Sequence, residues 1–102
     1  MLTIPVPTKL CKGKFRQSNK EGVYTYCAIG WILKHTKYRF GTSDSMAHLG
    51  PLSGFQGSWS NIWEEEFWPL AVANDKADSY SKRIKILRDF VATCPNLVME
   101  DD

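Results

Sequence analysis

The sequence has few of the features that would place it outside the cytoplasm or in a membrane. It contains three cysteines, Cys11, Cys27 and Cys94, and no apolar leader follows Met1. An odd number of cysteines without a leader does not fit the disulfide framework of a small secreted protein. The apolar runs are short and interrupted by glycine or charge, far below the ~20 residues that span a bilayer. We therefore expect a cytoplasmic protein that makes no membrane contact.

Motifs that bind metals, cofactors or nucleic acid are also missing. The two histidines, His35 and His48, form no CxxC or HxxxH pattern with each other or with the cysteines, so no metal site is expected. The glycines of LGPLSGFQG lack a following Lys-Ser/Thr and predict a loop, so no cofactor is expected either. The formal net charge is only +2. The basic residues between Lys9 and Lys20 are therefore better explained as a solvated hairpin face than as a site for direct nucleic-acid binding.

What the sequence does contain is enough apolar surface for one core. Hydrophobic residues make up 43% of the 102 residues and aromatic residues 13%, which is typical of one folded domain of this length, here 1–102. Alternate prolines favour an extended segment at 1–8. The runs at 10–16 and 23–26, separated by a polar turn-forming stretch, predict a β-hairpin.

The most hydrophobic stretch, YCAIGWILKH, predicts a helix at about 26–36 with Thr25 as its N-cap. Its apolar residues surround nearly the whole circumference, so the helix is expected to be buried. Gly30 would cost up to ~1 kcal/mol relative to alanine inside a helix. That cost indicates that another element crosses closely at this position.

The middle of the chain, residues 36–58, predicts a long loop with a possible single helical turn from Ser45 to Leu49. Asn61 followed three residues later by Glu64 is typical of a capped helix N-terminus and predicts a helix at about 61–68. Pro69 either ends this helix or opens a new short turn.

The clearest amphipathic pattern predicts a closing helix at about 80–93, with Ser79 as its cap and Pro95 preventing its continuation. The predicted fold class is therefore α+β and mainly helical. It combines an N-terminal hairpin or extended segment with three main helices, at about 26–36, 61–68 and 80–93.

Cys27 suggests one catalytic hypothesis, because a cysteine at a helix N-terminus can be stabilised as a thiolate. The order Cys27, His48 and then Asn74 or Asp75 matches the nucleophile, base and orienting residue of papain-like hydrolases. No family-specific sequence surrounds Cys27, and free cysteines are among the most buried residues. A cysteine hydrolase using Cys27, His48 and Asp75 is therefore the alternative, and no catalytic residue is favoured.

A group of aromatic residues suggests a binding function instead. Five large rings, Phe55, Trp59, Trp63, Phe67 and Trp68, lie close together in the sequence and next to the acidic run 64–66. A core of this size has little room for so many rings, and tryptophan is a common anchor of protein interfaces. We predict a non-enzymatic protein that binds a basic partner protein, or a second copy of itself as a homodimer. The predicted binding residues are Phe55, Trp59, Trp63, Glu64, Glu65 and Phe67.

Several short motifs resemble a group of small uncharacterised phage and bacterial proteins. These proteins share an aromatic-Cys-Ala-Leu-Gly-Ala-Leu type helix, a variable region, an Asn-Asp pair and a final helix. The matching positions here are Tyr26, Cys27, Ala28, Ile29, Gly30 and Ile32, then Asn74 and Asp75, then 80–91. Trp31 departs from the small residue usual at its position.

The resemblance to these phage and bacterial proteins implies a mostly helical domain and no established activity. It also implies a small binder of the host-takeover or anti-defence type, present in the host cytoplasm. Such a protein would inhibit or redirect a host protein, for which a basic nucleic-acid-handling enzyme is one candidate.

Overall fold

The computed structural model describes residues 2–36 and 46–100. Of these residues 52% are helical and 13% lie in strands, which confirms the predicted α+β, mainly helical fold class. Within the described ranges the strands are β1 (Leu2–Ile4), β2 (Arg16–Ser18), β3 (Tyr24–Tyr26) and β4 (Leu97–Met99). The helices are α1 (Ala28–Lys34), α2 (Leu49–Ser53), α3 (Trp59–Ile62), α4 (Trp68–Lys76) and α5 (Tyr80–Thr93).

The predicted extended N-terminus forms a strand that pairs with the C-terminal part of the chain. β1 and β4 are parallel, with Leu2 opposite Leu97 and Ile4 opposite Met99. The backbone N–H of Glu100 continues the ladder by donating to the carbonyl of Ile4 at 2.8 Å. Ile4 and Leu97 are both buried, so this pairing joins the two ends of the chain to the core.

The predicted hairpin is present, but its first strand is later and shorter than the run 10–16. β2 and β3 pair in antiparallel fashion, and the side chain of Asn19 closes the turn by accepting hydrogen bonds from the backbone N–H groups of Glu21 and Val23. Gly13 has a φ of 79°, a left-handed conformation that interrupts an extended run. Strand pairing therefore begins only at Arg16.

The predicted central helix is confirmed as α1, with tighter bounds than 26–36. Cys27, and not Thr25, is its N-cap, because the Cys27 backbone is extended and its sulfur accepts from the N–H of Gly30. The N–H of His35 closes the other end on the Ile32 carbonyl. α1 packs against α4 and α5, which agrees with its all-round hydrophobicity.

The prediction of a loop at 36–58 is partly wrong. Residues 37–45 lie outside the described residues. Beyond them the chain forms a single 3₁₀ turn, Met46–His48, that runs into α2. Leu49 and Ser53 of α2 are buried, and Gly54 ends the helix with a φ of 90°. The glycine and proline content of this segment suggested a loop, whereas burial of its apolar face stabilises two helical turns.

The predicted helix at 61–68 is the middle of a longer one, which we call the aromatic helix and define as residues 59–76. It begins at Ser58, whose hydroxyl caps the N–H of Asn61, so Asn61 is not the cap. It consists of α3, a π-helical turn at Trp63–Phe67, and α4. Pro69 does not end the helix but lies in the first turn of α4, as the second predicted alternative expects. A proline lacks an N–H and crowds the carbonyl four residues earlier, and the wider π turn directly before Pro69 accommodates both effects.

The closing helix agrees with its prediction. Ser79 caps α5 by accepting from the N–H of Lys82, and the helix stops at Thr93, before Pro95. Its buried side chains Leu87 and Val91 meet Ile29, Ile32 and Leu33 of α1 in the core, together with Ile4, Leu49, Ile62, Phe67 and Leu70. Among the described residues, no helix is long and apolar enough to cross a membrane.

Candidate binding pocket beside the central helix

Two buried side chains satisfy the free amides at the N-terminus of α1. The Cys27 sulfur accepts from the N–H of Gly30 at 3.4 Å, and the Asn74 side-chain oxygen accepts from the N–H of Ala28 at 3.3 Å. The Asn74 amide also donates to the Cys11 carbonyl at 2.9 Å, and Asn74 is 0% exposed. Capping of this kind satisfies polar groups that would be costly to bury alone. Asn74 and Cys27 thus hold α1, α4 and the segment before the hairpin together.

Gly30 lies where the backbone of Phe15 crosses α1. A Cβ atom at Gly30 would stand 1.8 Å from the Phe15 carbonyl oxygen, which also accepts a hydrogen bond from the N–H of Cys27 at 3.1 Å. No side chain fits into that space. The close crossing predicted from this glycine is therefore confirmed.

The Cys27 thiol is buried and protonated near neutral pH. Its residue is only 5% exposed, and burial raises its pKa from 9.0 to about 11, outweighing the hydrogen bonds from Gly30 and Ile29 that lower it. The negative charge of Asp75 raises the pKa further. Because the thiolate is the nucleophile, this environment opposes the reactivity that a helix N-terminus would otherwise favour.

The structure does not bring Cys27 and His48 together. The His48 ring nitrogen Nε2 lies 3.3 Å from the hydroxyl of Thr36, beyond the C-terminal end of α1. Cys27 caps the opposite end, and a helix of seven residues is roughly 10 Å long. A nucleophile and its base need a hydrogen bond between them. Of the three residues in the catalytic alternative, only Cys27 and Asp75 share a pocket.

Trp63 and Trp68 stand on the same side of the aromatic helix because of the π turn. The N–H of Trp68 donates to the carbonyl of Trp63, five residues earlier, so these two residues lie nearly above one another. Their ring centroids are 6.4 Å apart and the ring planes are tilted by 47°. Trp63 is half-buried, whereas Trp68 is 54% exposed.

Phe67 occupies the core and does not belong to a contact surface, which corrects its prediction as a binding residue. It is 0% exposed and lies at the centre of a ring cluster, 5.5 Å from Trp59 and 5.1 Å from Phe90 between centroids. Its ring is nearly parallel to that of Trp63, at 6.5 Å. Phe67 therefore supports the half-buried rings from beneath.

The other predicted binding residues fall into two places. Phe55 and Trp59 are half-buried and line a pocket of about 310 Å³ between α2 and the aromatic helix. Glu64 and Glu65 are exposed on the π turn, next in sequence to Trp63. The predicted binding residues thus do not form one continuous surface in the structure.

A second pocket, also of about 310 Å³, lies between the aromatic helix and the start of the hairpin. We call it the tryptophan pocket. Its lining residues are Gly13, Lys14, Phe15, Cys27, Trp63, Trp68, Ala71 and Asp75. The Asp75 carboxylate is held in place by the N–H of Gly13 at 2.9 Å and by the Asn74 amide at 3.2 Å, both on the same oxygen. The pocket combines aromatic walls with one fixed carboxylate.

Five of the eight lining residues are not among the predicted functional residues: Gly13, Lys14, Phe15, Trp68 and Ala71. Trp68 belongs to the aromatic group but not to the predicted binding set, and Lys14 and Phe15 are predicted only as part of the hairpin run 10–16. Pro69 is the one local signal for Trp68, because a proline inside a helix indicates a shift in helical register. No local signal places Phe15 and Lys14 next to the aromatic helix.

Comparisons of the chain with protein-family models, with curated proteins and with solved structures gave no match.

Proposed function

We propose that this protein is a non-enzymatic binding protein that uses the tryptophan pocket and the adjacent glutamates to bind a basic partner protein. The observation that carries the proposal is the position of Trp68. It is 54% exposed and lines a pocket that Trp63 also lines. Tryptophan is enriched among the residues that contribute most to protein binding.

Acidic residues of the aromatic helix support a basic partner. Asp75 lines the pocket, and Glu64 and Glu65, which follow Trp63 in the sequence, are exposed. Among the described residues, both salt bridges, Lys82–Asp78 and Lys85–Asp89, involve other acids. Acidic groups around an apolar anchor attract basic partners and exclude acidic ones.

The resemblance to phage and bacterial proteins motivates a finer hypothesis. On that hypothesis the protein acts in the host cytoplasm, where it inhibits or redirects a host protein such as a basic nucleic-acid-handling enzyme. The buried Cys27 thiol with its raised pKa supports a binding role over the alternative of a cysteine hydrolase.

Affinity capture from a bacterial lysate with the tagged protein tests the proposal. Because Trp68 is expected to be an anchor, Trp68→Ala should lower recovery of a basic partner at least roughly tenfold. Replacing both Glu64 and Glu65 by glutamine should lower it less and mainly at low salt, since exposed charges are screened.

Tyr24→Ala removes an exposed ring on the hairpin and Asp89→Asn removes an exposed acid on α5; both controls should retain the partner. Equal recovery with wild type and Trp68→Ala would contradict the proposal. So would a captured protein that is acidic, or a second copy of this chain whose association depends on Trp68.

A further inference from the structure

We infer that the tryptophan pocket receives one lysine or arginine side chain of the partner, with the Asp75 carboxylate as its counter-ion. This inference rests on the proposed function and adds the chemistry that the pocket recognises. It depends on the ring faces, the carboxylate and the apolar lining of the pocket.

The walls of the pocket suit a cation. Tryptophan has the ring face that attracts cations most strongly, and two such rings, 6.4 Å apart and tilted by 47°, line the same space. Elsewhere in the protein, ring faces already carry cations: Arg16 lies 4.2 Å above Tyr24, and Lys34 lies 5.1 Å above Trp31. Within residues 2–36 and 46–100, no lysine or arginine lies over Trp63 or Trp68.

The carboxylate in the pocket has a fixed position and no ion-pair partner in the described part of the chain. The bonds from Gly13 and Asn74 reach the same Asp75 oxygen, Oδ1. Neither donor carries a charge, so both orient the carboxylate without neutralising it. A ligand with a positive end group would find both a ring face and a preoriented counter-ion.

Part of the pocket lining is apolar and suits the stem of a long side chain. Ala71, Phe15 and the neutral Cys27 thiol supply this surface. Lysine and arginine bury their methylene chains against apolar surface while the charged end stays near water and an acid. An uncharged apolar side chain would fill the same space. It would displace water from Asp75 without replacing the hydrogen bonds that this water donates.

Lys14 lines the same pocket and opposes a cationic ligand, since its own positive charge repels one. Lys14 therefore provides a second test of the inference that is independent of Asp75. Removing the Asp75 charge should weaken the binding of a cation, and removing the Lys14 charge should strengthen it.

A titration with short peptides tests this directly. The probes are acetyl-Gly-X-Gly amides with arginine, lysine, norleucine or glutamate at X, and the readout is the NMR shift of the Trp63 and Trp68 indole N–H groups. The arginine and lysine peptides should bind more tightly than the norleucine peptide, and the glutamate peptide most weakly. Asp75→Asn should weaken arginine binding roughly threefold and leave norleucine binding unchanged, because an asparagine retains the oxygen that Gly13 and Asn74 bind. Lys14→Met should tighten arginine binding about twofold.

Asp89→Asn, an equal change of charge on α5, is the matched control and should change nothing. The inference is overturned if norleucine binds as tightly as arginine, or if neither Asp75→Asn nor Lys14→Met alters the preference for a cation. Its failure differs from failure of the proposed function. Partner capture that depends on Trp68, without cation preference in the peptides, would leave the proposed function intact. Cation preference in the peptides without capture of a basic protein would support the inferred chemistry of the pocket and contradict the proposed function.

Discussion

The N-terminus of α1 and the aromatic helix both carry residues typical of functional sites. They differ in how far these residues are buried and hydrogen-bonded within the protein. At α1, Cys27 is 5% exposed and Asn74 is 0% exposed, and the hydrogen-bonding groups of both are engaged. On the aromatic helix, Trp68 is 54% exposed and lines a pocket. A cysteine at a helix start and a row of aromatic rings are both typical of functional sites in a sequence. Here Cys27 is a helix cap buried in the fold, whereas Trp68 leaves apolar surface exposed to solvent.

The largest effect on this comparison is expected from Gly30→Ala. The added Cβ would stand 1.8 Å from the Phe15 carbonyl oxygen, so backbone must move where the hairpin crosses α1. We expect a loss of about 3 kcal/mol or more in the free energy of unfolding, measured by urea denaturation. Gly50→Ala is the matched control, because a Cβ there meets side chains at an ordinary 3.5 Å. A Gly30→Ala protein as stable as the Gly50→Ala protein would show that the crossing is not tight.

The second-largest effect is expected on the pH dependence of the free energy of unfolding, to which the Cys27 thiol contributes. Its pKa is raised from 9.0 to about 11 by burial, so the folded protein holds the thiol proton more tightly than the unfolded chain does. The stabilisation is fully present below pH 9 and is lost as the pH rises through 11, by at most about 3 kcal/mol. Urea denaturation at a series of pH values should therefore show a smaller alkaline loss for Cys27→Ala than for wild type.

Loss of the cap in Cys27→Ala should also lower stability at neutral pH, by about 1 kcal/mol. The loss of stability caused by the missing cap does not depend on pH, so it can be separated from the alkaline loss caused by ionisation of the thiol. Identical alkaline slopes for wild type and Cys27→Ala would mean that the thiol is accessible enough to ionise normally. The catalytic alternative would then regain support.

The smallest effect is expected from Trp68→Ala on stability. Trp68 is the most exposed of the aromatic rings that line the pocket, and its removal leaves the Phe67 cluster in place. We expect the free energy of unfolding to change by less than about 1 kcal/mol, while partner recovery falls as described above. A thermal denaturation midpoint far below that of wild type would show that Trp68 belongs to the core and would remove the contrast with α1.

The sequence predicts best those helices whose signals come from residues close together in the chain. α5 has an amphipathic repeat, a serine cap and a proline after its end, and each of these acts within a few residues. α1 was found from its hydrophobicity, although its cap was assigned to Thr25. The pairing of β1 with β4 was not predicted, since two strands of three residues give no signal of which distant strand they meet.

The sequence predicts the types of residue in the candidate site but not their arrangement in space. The aromatic group and Glu64 with Glu65 were found, because unusual clustering is visible in a sequence. The predicted binding set includes Phe67, which lies in the core, and leaves out Trp68, which is exposed. The π turn leaves Phe67 beside Trp63 and brings the fifth residue, Trp68, to the same side of the helix as well.

Features that depend on neighbours along the chain can be predicted from the sequence: the fold class, the closing helix, the glycine that marks a crossing, and a surplus of aromatic rings. Which ring faces water depends on the folded molecule, because one π turn shifts the helix by a residue. It also decided the state of Cys27, because the pKa of a thiol depends on how much water the folded chain removes from it. Exposure and desolvation are properties of the packed molecule, and no stretch of residues carries them alone.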